Sequence, residues 1–223
     1  MNLERQGDVF VLDIGSDENR FHPDWIAGFN TVLDDVEGAE GPRALVTSAT
    51  GKFWSNGLDL DWVQANPTRG ASYLASVHRL FARVLAFGVP TVSAIQGHCF
   101  AAGAMISLAH DFRVMRADRG YWCLPEVDLG LPFSDGMAAL VQARISKKTA
   151  HEAMTTGRRY GGNDALAAGI VDTVAGEGGV LPAAIELAKP LVGKAGPALG
   201  AIKARMYAEA LRVLNEDVTP GPA

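Results

Sequence analysis

Several residue patterns are scarce or missing in this chain, and each shortage excludes a class of protein. Its 223 residues include only two cysteines, Cys99 and Cys123, which lack the C-x-x-C spacing of zinc and redox sites. No apolar run reaches the roughly 18 residues that a membrane-spanning helix needs. Lysine and arginine number 20 against 25 acidic residues, a balance that argues against a sequence-independent nucleic-acid binder. We therefore expect no metal site, no membrane association and no nucleic-acid partner.

The two ends of the chain carry no recognisable targeting signal. The first ten residues, MNLERQGDVF, are too polar for a secretory signal peptide. The last seven, DVTPGPA, differ from a peroxisomal address of the S-K-L kind. We expect a cytoplasmic protein whose two thiols stay reduced and pack as small apolar groups.

Strand and helix patterns alternate along the chain. Hydrophobic residues make up 48% of it and charged residues 20%, which suits a globular protein with a sizeable core. Short apolar runs predict strands near residues 9–14, 43–48, 91–95, 112–115 and 170–174. This order favours an α/β fold with largely parallel strands over residues 1–180, followed by a helical C-terminal region over residues 181–223.

A strand-to-helix junction within residues 94–109 could bind a negatively charged oxygen. An apolar strand breaks at Gly97, and a helix is predicted to begin near Ala102 and Gly103. Small residues there leave the first N–H groups of the helix uncovered, and the helix dipole favours negative charge at that end. The alternative is that these small residues only allow a helix and a strand to pack closely.

A second backbone site is predicted in the turn at residues 55–60. Gly57 can adopt the positive φ that would place the N–H of Leu58 outward. The alternative is an Asn-Gly turn without a function, and Asp59 is most simply a turn or helix-cap residue. If both sites face one carbonyl oxygen, they would stabilise the charge of an enolate.

An enolate mechanism also needs a base beside the carbon that loses a proton. Glu126 is the candidate, because it lies in an apolar segment, CLPEVDLGLPFSDG, that would raise its pKa toward the working pH. Asp135 lies in the same segment. It could be the base itself, a second carboxylate that helps Glu126, or the N-cap of the following helix.

At these residues the chain resembles the enoyl-CoA hydratase/isomerase (crotonase) superfamily. The resemblance is carried by FWSNGLDL (53–60), VSAIQGHCFAAGAMISLAHDFRVM (92–115), LPEVDLGLP (124–132) and ALAAGIVDTV (165–174). Within that superfamily, NRFHPDWI (19–26) and EVDLGLPFSD (126–135) are most similar to enoyl-CoA isomerases of the plant peroxisomal type. The short, Ala/Gly-rich chain would suit a bacterial relative.

The resemblance implies a fold and a set of site residues. The implied fold is a crotonase-like spiral of ββα units with two roughly perpendicular sheets, assembled as a homotrimer or a dimer of trimers. The implied substrate is an acyl-CoA thioester, so coenzyme A belongs to the substrate and no separate cofactor is expected. The motif match places the oxyanion-hole donors at Leu58 and Ala102 and a catalytic carboxylate at Glu126.

One departure from the family pattern bears on the reaction. Hydratases of this family carry a second glutamate six residues before the aspartate that matches Asp111, and here that position is Met105. Hydration needs a water held between two acids, whereas moving a double bond needs only one base to shuttle a proton. The sequence therefore favours an isomerase that converts 3-enoyl-CoA to trans-2-enoyl-CoA in fatty-acid oxidation.

Other residues have weaker claims to the substrate. Gly57, Asp59, Gly103, Met105, Phe133 and Trp62 are predicted to lie around the substrate pocket, although the large ones could equally be ordinary core. Three basic residues could meet the phosphates of coenzyme A or could simply be solvated: Arg20, Lys203 and Arg205.

Two alternative functions stay open at this point. One is a hydratase or another crotonase-type enzyme, such as a dehalogenase or thioesterase. The other is a catalytically silent acyl-CoA-binding module. Retention of Glu126 in an apolar segment argues against the silent protein.

Overall fold

The computed structural model describes residues 1–216 and contains two β-sheets. The nine strands in chain order are β1 (Asn2–Gln6), β2 (Val9–Asp13), β3 (Ala44–Ser48), β4 (Phe53–Ser55), β5 (Thr91–Ile95), β6 (His98–Phe100), β7 (Phe112–Arg116), β8 (Trp122–Cys123) and β9 (Thr173–Ala175). The larger sheet has the order β1-β2-β3-β5-β7-β9, and the smaller has the order β4-β6-β8. Only the β1–β2 pair is antiparallel among these pairings.

Ten α-helices surround the sheets in the described part of the chain. They are α1 (Pro23–Gly38), α2 (Leu60–Ala65), α3 (Gly70–Leu85), α4 (Ala102–Ala109), α5 (Asp135–Arg144), α6 (Lys147–Thr156), α7 (Gly162–Ala167), α8 (Val180–Ala188), α9 (Pro197–Met206) and α10 (Ala208–Asn215). Short 3-10 helices lie at Pro67–Arg69 and Lys189–Lys194. Within residues 1–216, no helix is long and apolar enough to cross a membrane.

The chain repeats one unit three times: a strand of the large sheet, a strand of the small sheet and then helix. The three units begin at β3, β5 and β7. All five positions of β3 and of β5 are buried, which fits parallel strands covered on both faces. This repeat is the ββα pattern that the family resemblance implies.

The parallel pairing of the small sheet positions the candidate site. Because β4, β6 and β8 run in the same direction, the segments that follow them leave from the same edge of the sheet. Those segments are the turn at residues 56–59, the start of α4 and the loop at residues 124–134. All three predicted site elements are therefore brought to one edge.

The C-terminal helices pack against the rest of the molecule. Side chains of α8 pack with β2, β3, β5 and β7 in one of two apolar clusters. On the last helix, the buried Ala210 and Leu214 belong to the main core. The proposed boundary at residue 180 stays a prediction, and residues 217–223, which include the C-terminal peptide DVTPGPA, lie outside the described residues.

A buried ion pair ties α9 to the large sheet. Lys203 is only 4% exposed, and its Nζ donates to the Asp111 carboxylate at 2.6 Å and to the Phe87 carbonyl at 2.9 Å. The same carboxylate accepts from the Thr91 N–H at 2.8 Å. The prediction that Lys203 meets a phosphate of coenzyme A is therefore wrong, because its ammonium is enclosed and already paired.

We expect the Asp111→Ala substitution to cost about 3–5 kcal/mol of unfolding free energy, because it leaves the Lys203 charge buried without its partner. Urea denaturation of the purified protein measures this. The control is Glu209→Ala, which breaks an exposed ion pair with Arg212 and is expected to leave the urea midpoint nearly unchanged. Similar midpoints for the two variants would contradict the role given to the buried pair.

Candidate active site

The turn after β4 lies directly against the start of α4. Gly57 has φ +84°, a conformation that favours glycine. A Cβ added to it would lie 2.9 Å from the backbone nitrogen of Ala102 and 3.0 Å from the Phe100 carbonyl oxygen. A Cβ added to Gly103 would lie 2.7 Å from the Ser55 side chain. The two backbone segments can approach this closely only because both positions lack a side chain.

Within this turn, one backbone N–H is left without an acceptor. The three neighbouring N–H groups all have acceptors. Asn56 donates to the Glu18 carbonyl, Gly57 to Ser55 Oγ and Asp59 to Tyr73 Oη. No acceptor for the N–H of Leu58 is found among residues 1–216. Leu58 lines a cavity of about 430 Å3, so its N–H is available to a ligand there.

The second free N–H belongs to Ala102, the first residue of α4. The first N–H groups of a helix have no partner inside it, and within the described residues Ala102 finds none outside it either. Ala101 before it has φ +51°, a strained conformation for an alanine. Ala101 and Ala102 line the same cavity as Leu58. The strained junction thus presents a second donor beside the first.

Glu126 supplies an acid to the cavity that the two donors line. It follows β8, is 8% exposed, and its Oε2 is buried without a hydrogen-bond partner among residues 1–216. Burial raises the pKa of this carboxyl to about 7, because a dry environment disfavours the charged form. Near neutral pH the group can therefore both take up and release a proton.

The cavity wall is mostly apolar, and its charged groups other than Glu126 are Arg20, Asp61 and Arg159. Seven of its apolar residues are four leucines, two prolines and a methionine: Leu58, Leu60, Leu129, Leu131, Pro125, Pro132 and Met137. Leu60, Leu129 and Leu131 are each more than 40% exposed, so the apolar surface extends to the mouth. Such a mouth suits a ligand with a hydrocarbon part.

The structure corrects the predictions for Asp135. The N-cap of α5 is Ser134, whose Oγ accepts from the Met137 N–H at 3.3 Å, and Asp135 is the first residue inside the helix. Asp135 is exposed and does not line the cavity. It is neither the N-cap nor placed to act as a second carboxylate.

The six residues predicted around the substrate do not line the cavity itself. Gly57 and Gly103 instead allow the backbone contact, and Asp59 caps α2 by accepting from the Trp62 N–H at 3.1 Å. The Trp62 ring packs on Tyr73 with centroids 5.2 Å apart. Met105, which is fully buried, and Phe133 belong to the apolar core and its margin. For these side chains the core interpretation was the better one.

The remaining basic candidates have different positions. Arg20 lies at the cavity and donates to Glu18 at 2.6 Å and to Asp61 at 2.7 Å. Arg205 is exposed on α9 and does not line the cavity. A role for either in binding phosphate stays a prediction. Arg159 also lines the cavity and was missed, because a charged residue beside a turn gives no specific signal in the sequence.

Comparison with known proteins shows the family to which the chain belongs. The family model described as Enoyl-CoA hydratase/isomerase matches residues 5–219. The chain belongs to the enoyl-CoA hydratase/isomerase family. It is 37% identical over 224 residues to enoyl-CoA delta isomerase 3 of Arabidopsis thaliana, covering 96% of this chain and 94% of that protein.

Two further relatives extend the comparison. The peroxisomal enoyl-CoA delta isomerase 2 of Arabidopsis thaliana is 37% identical over 227 residues, covering 96% of this chain and 94% of that protein. The crystal structure of human mitochondrial delta3-delta2-enoyl-CoA isomerase superposes with a TM-score of 0.87 at 25% identity, covering 96% of this chain and 85% of that one. The family membership and the crotonase-like fold predicted from the sequence are confirmed.

We expect burial of Glu126 to reduce stability as the pH rises. Its folded pKa of about 7 lies above the usual value of 4.5, so the folded state holds a proton that the unfolded state has lost between these two pH values. The free energy of unfolding is unaffected by this group below about pH 4.5 and falls between about pH 4.5 and 7. Above about pH 7 it is lower by up to about 3 kcal/mol. Glu126→Gln removes the titrating group.

The measurement is urea denaturation of wild type and Glu126→Gln at pH 4.5, 6 and 8. The stability of the variant relative to wild type should grow with pH. Glu40→Gln, at an exposed glutamate that makes no ion pair in the described part of the chain, controls for the lost charge. A constant difference between Glu126→Gln and wild type at all three pH values would refute the raised pKa.

Proposed function

We propose that this protein is an enoyl-CoA isomerase that moves the double bond of a 3-enoyl-CoA to give trans-2-enoyl-CoA in fatty-acid oxidation. The observation that carries the proposal is the meeting of the buried Glu126 carboxyl with two N–H donors, those of Leu58 and Ala102, in a largely apolar cavity. Neither donor, nor Oε2 of Glu126, has a hydrogen-bond partner among residues 1–216. The similarity to named isomerases from plants and from human mitochondria supports it.

In the proposed reaction the Glu126 carboxylate removes a proton from C2 of the substrate. The electron pair of that C–H bond moves into a dienolate, and negative charge develops on the thioester oxygen. The N–H groups of Leu58 and Ala102 stabilise this charge as hydrogen-bond donors. Glu126 then returns the proton to C4, which leaves the double bond between C2 and C3. The chemistry is proton transfer alone, so it requires no cofactor besides the coenzyme A of the substrate.

The acids around the cavity favour isomerisation over hydration. Among residues 1–216, Glu126 has no buried acidic neighbour at the cavity. Met105, at the position where the resemblance implies a second glutamate in hydratases, is fully buried in the apolar core. The other acid that lines the cavity, Asp61, has an 85% exposed side chain and is paired with Arg20. It is hydrated and committed to a cation, which makes it a poor partner for holding a reactive water beside Glu126.

Assembly and location also belong to the proposal. The homotrimer or dimer of trimers stays a prediction from the family resemblance. The cytoplasmic location in a bacterium stays a prediction from the cysteine content, the chain ends and the composition. Light scattering of the purified protein tests the assembly, with a mass near three or six times 23.6 kDa as the expected result.

We expect purified protein to convert 3-enoyl-CoA to 2-enoyl-CoA while adding little or no water to crotonyl-CoA. Both reactions are followed on the same preparation, the first by appearance and the second by loss of the conjugated thioester absorbance. Hydration at a rate comparable to isomerisation would indicate a hydratase. Tight binding of enoyl-CoA without turnover of any substrate would indicate a binding module.

We expect Glu126→Gln to lower kcat for 3-enoyl-CoA by at least about 10²–10⁴, because glutamine cannot carry the proton. The matched control is Asp135→Asn, which makes the same change to an exposed acid outside the cavity and should keep near wild-type kcat. Loss of activity in the Asp135 variant alone, with Glu126→Gln still active, would move the base to the α5 terminus.

A further inference from the structure

Tyr73 contacts the turn that carries the Leu58 donor, yet no chemical role follows for it from the sequence. It lies on α3, is 4% exposed, and its Oη accepts from the Asp59 N–H at 3.0 Å. Its ring packs on Trp62, which belongs to the helix that Asp59 caps. Its phenol therefore reaches the backbone of the turn from a rigid, buried position.

Hydrogen bonds hold both of the peptide units that flank the Leu58 Cα. In the first unit, the Gly57 carbonyl accepts from the Phe21 N–H at 2.8 Å. Because a trans peptide points its N–H away from its carbonyl, this bond directs the Leu58 N–H away from Phe21. In the second unit, the Tyr73 oxygen accepts from the Asp59 N–H, and the Leu58 carbonyl accepts from the Leu60 N–H at 3.1 Å. Leu58 is fixed from both sides.

We propose that Tyr73 is a positioning residue for the oxyanion hole, which holds the Leu58 N–H toward the cavity by accepting the neighbouring Asp59 N–H. The inference rests on the proposed function, since it assigns a role within that reaction. Without the phenolic oxygen, the half-buried Asp59 N–H loses its acceptor, and the turn would rotate to find another. Any such rotation moves the Leu58 N–H away from the position where charge develops.

Two properties suit Tyr73 to this task. Burial raises its pKa to about 12, so the phenol stays neutral and its acceptor strength does not change over the working pH range. The oxygen hydrogen-bonds to the turn, and Tyr73 lies outside the residues that line the cavity. Loss of this oxygen should therefore change the turnover rate without changing how the rate depends on pH.

The test is Tyr73→Phe, which keeps the ring that packs on Trp62 and removes only the oxygen. We expect kcat to fall about five- to thirtyfold, less than the 10²–10³ that follows complete removal of an oxyanion donor. KM should change by less than about twofold, and the pKa near 7 in the profile of kcat/KM against pH should stay in place, because Glu126 is untouched.

The matched control is Tyr207→Phe, which removes a hydroxyl that accepts from Arg144 far from the turn in sequence and outside the cavity lining. It should lower the melting temperature while kcat stays at the wild-type value. If Tyr73→Phe behaves like this control, with lower stability and unchanged kcat, Tyr73 is only a structural residue and the inference is overturned.

A binding measurement separates this inference from the proposed function. The ultraviolet absorbance of a 2-enoyl-CoA conjugated to an aromatic ring shifts to longer wavelength when its carbonyl accepts strong hydrogen bonds. Wild type should produce this shift and Tyr73→Phe a smaller one at saturating ligand. Equal shifts would overturn the role of Tyr73. Absence of isomerisation by wild type would defeat the proposed function, while the shifts would still decide the role of Tyr73.

Discussion

The contact between the turn after β4 and the start of α4 is the constraint on which the candidate site depends. Two backbone segments meet there at a distance that excludes side chains at Gly57 and Gly103. The contact exists because β4 and β6 are parallel neighbours, so their chain exits lie side by side. β8 extends the same sheet and delivers Glu126 to the same edge. The donors and the base thus have a common origin in a three-stranded sheet.

The site stores unfavourable free energy in two places. Glu126 is held in surroundings that resist its ionisation, and Ala101 is held in a backbone conformation that alanine avoids. Glu126 is the base of the proposed reaction, and Ala101 directly precedes the Ala102 donor. The apolar clusters on the two faces of the large sheet supply the stability that lets the fold tolerate them.

Leu58, Ala102 and Glu126 could be predicted from sequence because local backbone chemistry made each a candidate and the family motifs then selected them. A glycine turn, small residues at a helix start and an acid among apolar residues are all visible in short segments. The fold could be predicted from the order of strands and helices together with the motifs.

Errors arose where the answer depends on contacts between distant segments. Ser134 and Asp135 are both good N-caps, and only the path of the loop decides between them. Lys203 looks like a solvated helix charge until Asp111, 92 residues earlier, is placed beside it. The substrate pocket was likewise assigned to residues in and near the motifs, among them Trp62 and Phe133, whereas Leu129 and Leu131 of the loop after β8 line the cavity in the described structure.

The Asp111–Lys203 pair also has a consequence for synthesis of the chain on the ribosome. Asp111 follows α4 directly and is only partly exposed, so folding of the strands around it removes most of its water. Its counter-ion is made 92 residues later, after all of the ββα repeats have been synthesised. A chain that ends before α9 therefore lacks the native partner of the Asp111 carboxylate. The pair can close only when residues from the middle and from the C-terminal part of the sequence are both present.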